Sequence, residues 1–409
     1  MLYLLLLKQI DPELNRSSVY GLILLTALTA VGPDAFSQQR EKQDRVHYSY
    51  FQVMMHTGTT WSRTEYLSDV FASGFRGYEM RFGFQSTGEK LWQQYHRYPR
   101  YGFGFCYADL VLDRNDTILG NPFSAFGFFS APWLRMGRIT LNSDLSVGLS
   151  YTSLFHDPLL NPLNDVIASR INLYFNYNLN IYYILNNRID LYTGLGLTHY
   201  SNGAIHSPQK GVNNWGASLG MSYHFKYPSS ASDASRNYDS RDVRPDLVRI
   251  DLPDTIPGNE LQLMAAVGIV DRQSLGEPDI PHYFTSSISA DYAVPLTIKN
   301  KITFGLDFFY DSSLERAIKG ILPENVTEFQ KTYLGSHMGY QLLIDRITLL
   351  FNVGTYFLQH TYDRGFWYMR AGGRIRISDH MHAHVCIKTK AGIRSEWIEW
   401  GMVYSVASL

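Results

Sequence analysis

The chain has 409 residues, 14% of them aromatic and 18% charged, and its mean hydropathy of −0.18 is too polar for a bundle of membrane helices. Beyond the N-terminal segment no run of about 18 apolar residues occurs, so any membrane crossing must be made by strands. A formal charge of −1, without a long basic run, argues against nucleic acid as a partner.

In chain order, Arg16 precedes the apolar segment Val19 to Gly32, and Ala35-Phe36-Ser37 offers a small-x-small cleavage site. Residues 1–37 are read as a signal peptide, with the mature protein beginning near Gln38. Asp11 and Glu13 are unusual for its charged start, which suggests a translation start upstream of the true one.

From His47 onward, segments of about ten alternating residues recur between turn-rich pieces, the length a tilted strand needs to cross a bilayer. Strands are expected near Tyr48 to Thr57, Tyr78 to Ser86, Tyr101 to Leu112, Ser146 to Leu154, Ile171 to Leu185, Ile189 to Tyr200 and Asn213 to Phe225. A polar stretch, Lys226 to Glu260, follows and reads as a long loop in preference to an interdomain linker. Further strands are expected near Leu261 to Val270, Phe284 to Ala293, Ile302 to Tyr310, Thr332 to Leu343, Ile347 to Leu358, Trp367 to Ile377, Met381 to Lys390 and Ile398 to Val406.

The clearest strand is Ile171 to Leu185, whose odd positions are all apolar or tyrosine while the even ones carry Asn172, Asn176, Asn178 and Asn180. One face suits lipid and the other a polar lumen. The expected fold is therefore all-β: a single antiparallel transmembrane barrel of about 14 strands, with 12 to 16 as bounds. Residues 38–225 would supply its first half and 261–409 its second, since an open sheet from either half would leave edges that lipid cannot hydrate.

Chemistry concentrates in Leu195-Gly196-Leu197-Thr198-His199-Tyr200-Ser201-Asn202-Gly203 and the stretch that follows, Ser207 to Asn213. His199 and Ser201 are two apart on one strand, so both side chains leave from one face. That face also carries Leu191, Leu195 and Leu197, and Asn213 shares parity with Trp215, Ala217 and Leu219 on the next strand. All three polar groups would face the hydrocarbon, a costly place for them unless they act on an amphiphile. A His beside a Ser hydroxyl can take its proton and create a nucleophile for an ester carbonyl. Asn202 and the Gly203 backbone N–H are candidate oxyanion donors. The bland alternative is a strand end with an Asn-Gly turn and an interfacial His.

At His199-Tyr200-Ser201-Asn202-Gly203 and Pro208 the chain resembles the lipid A 3-O-deacylase (acyloxyacyl hydrolase) family of outer-membrane barrels. The likeness extends through Trp92-Gln93-Gln94-Tyr95, Tyr101-Gly102-Phe103-Gly104 and Asn161-Pro162-Leu163-Asn164, and the second half looks like an extension found in longer members. The resemblance implies Ser201 as nucleophile, His199 as general base, and lipid A or a related outer-leaflet lipid as substrate in the bacterial outer membrane. It departs from the family at Asn213, where the family's pattern has a Glu to orient the imidazole; Asp157 or Asp165 is a candidate substitute from elsewhere in the chain. No cofactor and no metal are expected. The rival reading is a catalytically silent structural barrel or small-solute pore.

Other features are weaker. Cys106 and Cys386 are read as unpaired small core residues in preference to a disulfide. His380, His382 and His384 alternate on one strand and are read as lumen lining in preference to a zinc site. Trp367, Tyr368, Trp397 and Trp400 lie near strand ends and are read as interface anchors.

Overall fold

A computed structural model describes residues 48–64, 66–112, 118–208, 210–225, 247–252, 256–271, 282–316, 325–360, 365–390 and 394–407. The expected signal peptide, and most of the polar stretch 226–260, lie outside the described residues. Among the described residues no helix is long and apolar enough to cross a membrane.

Sixteen antiparallel strands among the described residues form two closed barrels of eight. The first contains β1 (Tyr48–Trp61), β2 (Phe75–Gln85), β3 (Arg100–Asp109), β4 (Phe123–Met136), β5 (Ile139–Tyr151), β6 (Ile171–Ile184), β7 (Ile189–Ser201) and β8 (Val212–His224). The second contains β9 (Glu260–Asp271), β10 (His282–Thr297), β11 (Asn300–Asp311), β12 (Thr332–Ile344), β13 (Ile347–Leu358), β14 (Trp367–Arg376), β15 (Met381–Lys390) and β16 (Arg394–Ala407).

The expectation of a single barrel of about 14 strands is thereby corrected. β8 returns to β1 over a register from Tyr50↔His224 to Trp61↔Asn213, and β16 returns to β9 from Trp400↔Val267 to Ala407↔Glu260. Each set of eight closes its own edge, so neither needs the other to satisfy its backbone in lipid. β4 has no counterpart among the strands that the sequence predicts.

The alternation read from the sequence holds on β6. Asn172, Tyr174, Asn176, Asn178, Asn180 and Tyr182 are buried in the lumen, while Phe175, Tyr177, Leu179, Ile181 and Tyr183 are exposed outside. The amide ladder leaves no room on the facing strand: a Cβ at Gly196 would lie 1.6 Å from Asn178 Oδ1. Glycine therefore recurs in β7 where an asparagine of β6 crosses it.

An eight-stranded barrel is just wide enough for its own side chains, and both lumens are filled. In the first, Arg81 pairs with Glu79 and, at 2.8 Å, with Asp144, all three side chains fully buried. In the second, Lys388 pairs with Glu396 and lies 4.4 Å from the Trp397 ring centroid and 4.6 Å from that of Phe309. Tyr368 and Trp397 are fully buried in this cluster, so these two are lumen core and not the interface anchors expected from their place near strand ends. Cys106 and Cys386 are both free and buried.

In the first barrel the connections 137–138 and 185–188 lie at the end where β1 begins and β8 finishes, together with the longer 86–99. The longer connections after β1, β3, β5 and β7 leave from the opposite end. The second barrel by itself repeats the pattern, with short turns 298–299 and 345–346 at the end where β9 begins.

Candidate active site on the outer wall

β7 reaches the end that carries the long connections at Ser201. Its even positions Asp190, Tyr192 and Tyr200 are buried in the lumen, while Leu191 and Leu195 are exposed on the outside. His199 and Ser201, being odd, stand on the outer face, and Asn213 of β8 lies directly opposite His199 in the ladder. Phe175 of β6 is the partner of His199 on the other side, and Leu173 that of Ser201. Around them the wall is apolar, with Leu195 68% and Trp215 57% exposed.

His199 Nδ1 and Asn213 Oδ1 are 2.8 Å apart, and Asn213 Nδ2 donates to the Trp61 carbonyl at 3.4 Å. The second contact fixes the first. A carbonyl oxygen only accepts, so the amide nitrogen must face Trp61 and the amide oxygen must face the ring. Nδ1 then carries the proton, and Nε2 is left as the basic nitrogen. An Asn in this position can set the tautomer of the ring but supplies no negative charge.

Among the described residues no hydrogen bond joins His199 to Ser201. The two side chains flank Gly211, where a Cβ would lie 3.1 Å from His199 Cε1 and 3.4 Å from Ser201 Cβ. Two side chains at i and i+2 of a strand are close enough for a His Nε2 to meet a Ser hydroxyl after rotamer adjustment, and such contacts commonly tighten only when substrate is bound. Asn202, next after Ser201, is buried, and Gly203 turns the chain with φ +64°.

Neither alternative acid is brought to the imidazole. Asp157 accepts from the backbone N–H groups of Leu159 and Leu160, both at 2.8 Å, and the Leu160 and Leu159 donors hold its carboxyl below the usual carboxylate range. Asp165 pairs with Lys210 at 2.6 Å.

The sequence does not single out a second Ser–His–carboxylate relay, which the fold assembles inside the first barrel. Ser218 Oγ lies 2.7 Å from His56 Nδ1, and His56 Nε2 lies 3.1 Å from Glu79. All three residues are buried and Arg81 is paired with the Glu, so an ester in the bilayer has no route to it. In the second barrel, Asp291, Asp307 and His337 present ligand atoms within 4.8 Å of one another. Arg374 at 3.3 Å and Arg370 at 3.0 Å already offset those carboxylates, which makes the group an ion-pair network and a poor cation site. The three alternating His residues do not act together: His380 Nδ1 bonds the Ser405 carbonyl at 3.0 Å, while His384 is buried 3.6 Å from Glu399.

A family model described as lipid A 3-O-deacylase matches residues 76–222, and one described as acyloxyacyl hydrolase, C-terminal domain, matches residues 259–408. The first span runs from β2 into β8, and the second contains all of β9 to β16. No curated protein matches the chain. Among solved structures, Neisserial surface protein A is 10% identical, covers 43% of this chain and 97% of its own, and has a TM-score of 0.32. The outer membrane enzyme PagL is 16% identical, covers 43% of this chain and 99% of its own, and has a TM-score of 0.26.

Proposed function

We propose, given that this chain belongs to the lipid A 3-O-deacylase family of outer-membrane barrel ester hydrolases, that its first barrel removes an ester-linked acyl chain from lipid A or a related outer-leaflet lipid. Ser201 is the nucleophile, His199 the general base and Asn213 the residue that orients it. The observation that carries this reading is the 2.8 Å contact between His199 and Asn213, beside Ser201 on an apolar outer wall. Polar groups in that position are costly in hydrocarbon unless a substrate uses them. The location suits the substrate, because bacterial barrels carry short turns on the periplasmic side and long loops outside. With that orientation Ser201, at the long-loop end, would meet the outer leaflet.

In the proposed reaction, Ser201 Oγ attacks the ester carbonyl carbon as its proton passes to His199 Nε2. The carbonyl oxygen becomes an oxyanion, for which Asn202 and the Gly203 N–H are the candidate donors. Collapse breaks the bond to the sugar oxygen, which takes the proton from Nε2. Water, deprotonated by the same nitrogen, then releases the fatty acid and restores Ser201. The packed lumens argue against the rival reading of a solute pore.

The test is Ser201→Ala in cells and in purified form. The variant should keep the heat-modifiable mobility of a folded barrel, leave the lipid A mass unchanged, and lose covalent labelling by a long-chain fluorophosphonate. Deacylation that persists in the variant excludes this assignment.

A further inference from the structure

Three loops at the site end meet beside the dyad, and the residues joining them take no part in the chemistry proposed above. Gly211 lies against His199 and Ser201 and has φ +64°. Its N–H donates to the Val166 carbonyl at 3.0 Å, and its own carbonyl accepts from Ser62 Oγ at 2.6 Å. The preceding residue, Lys210, bonds Asp165 Oδ2 at 2.6 Å, while the other carboxylate oxygen accepts from Thr64 Oγ1 at 2.6 Å. Thr64 Oγ1 in turn accepts the Leu67 N–H at 2.9 Å. Asp165 is 6% exposed.

From this geometry we infer that Asp165 is a positioning residue for the deacylase site: it fastens the 62–74 and 152–170 connections to the Lys210–Gly211 segment and so holds the Gly211 backbone against His199 and Ser201. The inference rests on the Ser201–His199 reading. The physical reason is one of freedom. Lys210 and Gly211 immediately precede β8 with Gly211 against the dyad, and a segment held only by its strand end samples many conformations. An ion pair that is largely withdrawn from water and carries additional hydrogen bonds restricts that ensemble more firmly than an exposed pair. The positions of Lys210 and Gly211 are thereby tied to two other loops. Asp165 touches neither the dyad nor, on this account, the reacting ester, so its effect should appear in how often the site is correctly arranged and not in how tightly the lipid binds.

The experiment compares wild type with Asp165→Ala, Lys210→Met, the charge-exchanged pair Asp165→Lys with Lys210→Asp, and Ser201→Ala, all as the full chain in detergent micelles. Three quantities are read: kcat and KM on a long-chain ester, the rate of fluorophosphonate labelling at Ser201, and heat-modifiable mobility as the check of folding. Asp165→Ala and Lys210→Met should each lower kcat and the labelling rate about tenfold, with KM within about twofold and the folded mobility retained. The exchanged pair should recover at least half of the lost rate. Wild-type labelling in both single variants, with Ser201→Ala inactive, overturns the role of Asp165 and leaves the deacylase reading in place. A rise in KM with unchanged kcat also overturns it, because that marks a substrate contact. Hydrolysis that survives Ser201→Ala removes the reading on which the inference rests.

Discussion

Asn213 offers the most discriminating perturbation of the proposed site. Replacing it with Ala removes the acceptor 2.8 Å from His199 Nδ1 without placing anything new against the ring. A neutral hydrogen bond contributes on the order of 1 kcal/mol net, and a factor of ten in rate corresponds to about 1.4 kcal/mol. The lost bond alone should slow the reaction roughly fivefold, and freedom of the ring to take the other tautomer adds a factor of about two. The expected loss in kcat is therefore on the order of tenfold, well short of the ~10⁴ that follows when a triad Asp is replaced by an amide that holds the imidazole in the wrong tautomer, because Ala leaves the ring free to take either one. Asn213→Glu should act in the opposite direction. Hydrogen bonds to charged groups contribute about 1.5–3 kcal/mol, so a carboxylate facing the imidazolium should gain roughly 1 kcal/mol over the amide. Against that stand the loss of the long 3.4 Å donation to the Trp61 carbonyl and the cost of holding a carboxylate on an apolar wall, which is present before and during the reaction alike and so bears on stability more than on kcat. The gain wins, and kcat should rise severalfold. Initial rates from lipid A mass spectra, taken at equal amounts of folded barrel, measure both. A wild-type rate in Asn213→Ala, or a slower rate in Asn213→Glu with the fold intact, would refute the orienting role.

Three other outcomes follow from particular contacts. Gly211→Ala places a Cβ 2.8 Å from the Tyr200 carbonyl at φ +64°, a strain of about 1–3 kcal/mol, and should cut fluorophosphonate labelling of Ser201 about tenfold while mobility on gels stays that of a folded barrel. Leu219→Arg, at the middle of β8 opposite Thr193 and 69% exposed on the outer wall, should destabilise the first barrel in liposomes by about 2–4 kcal/mol, measured by urea titration; an unchanged midpoint would mean that this face does not meet lipid. Lys388→Met leaves Glu396 buried without its cation, a cost of about 3–5 kcal/mol, and adding Glu396→Gln should recover most of the lost stability in the same titration.

Parity made the site legible. A strand alternates with period two whatever its neighbours do, so His199, Ser201 and Asn213 could be placed on the outer wall from spacing alone, and the ladder pairs His199 with Asn213. The contact of Asn213 with the Trp61 carbonyl was not readable, because it depends on β1 meeting β8 across more than 150 residues. The same kind of distance hid the true place of Asp165, whose partners Thr64 and Lys210 come from two other loops. β4 was missed because Phe126 and Phe128 turn inward while Phe123 faces out, so apolar residues occupy both faces and the alternation that marks a wall strand disappears. Tyr368 and Trp397 misled for a related reason: a large aromatic at a strand end fits an interface belt or a packed lumen equally well until its cross-strand partners are known.

The strand count has a consequence for where chemistry can occur. A single barrel of about 14 strands would enclose water, and a polar lumen lining would then be as good a candidate for function as the wall. Closure after eight strands leaves room for little more than the side chains themselves. The inward charges consequently neutralise one another, as Arg81 does with Glu79 and Asp144, and the lumen relay of Ser218, His56 and Glu79 is sealed among them. An enzyme built on so narrow a barrel must present its reactive groups to the outside, where the surrounding solvent is lipid. The polar groups on the wall at His199, Ser201 and Asn213 then suit a lipid substrate, and on the proposed mechanism their cost in hydrocarbon would be offset by an ester entering between them.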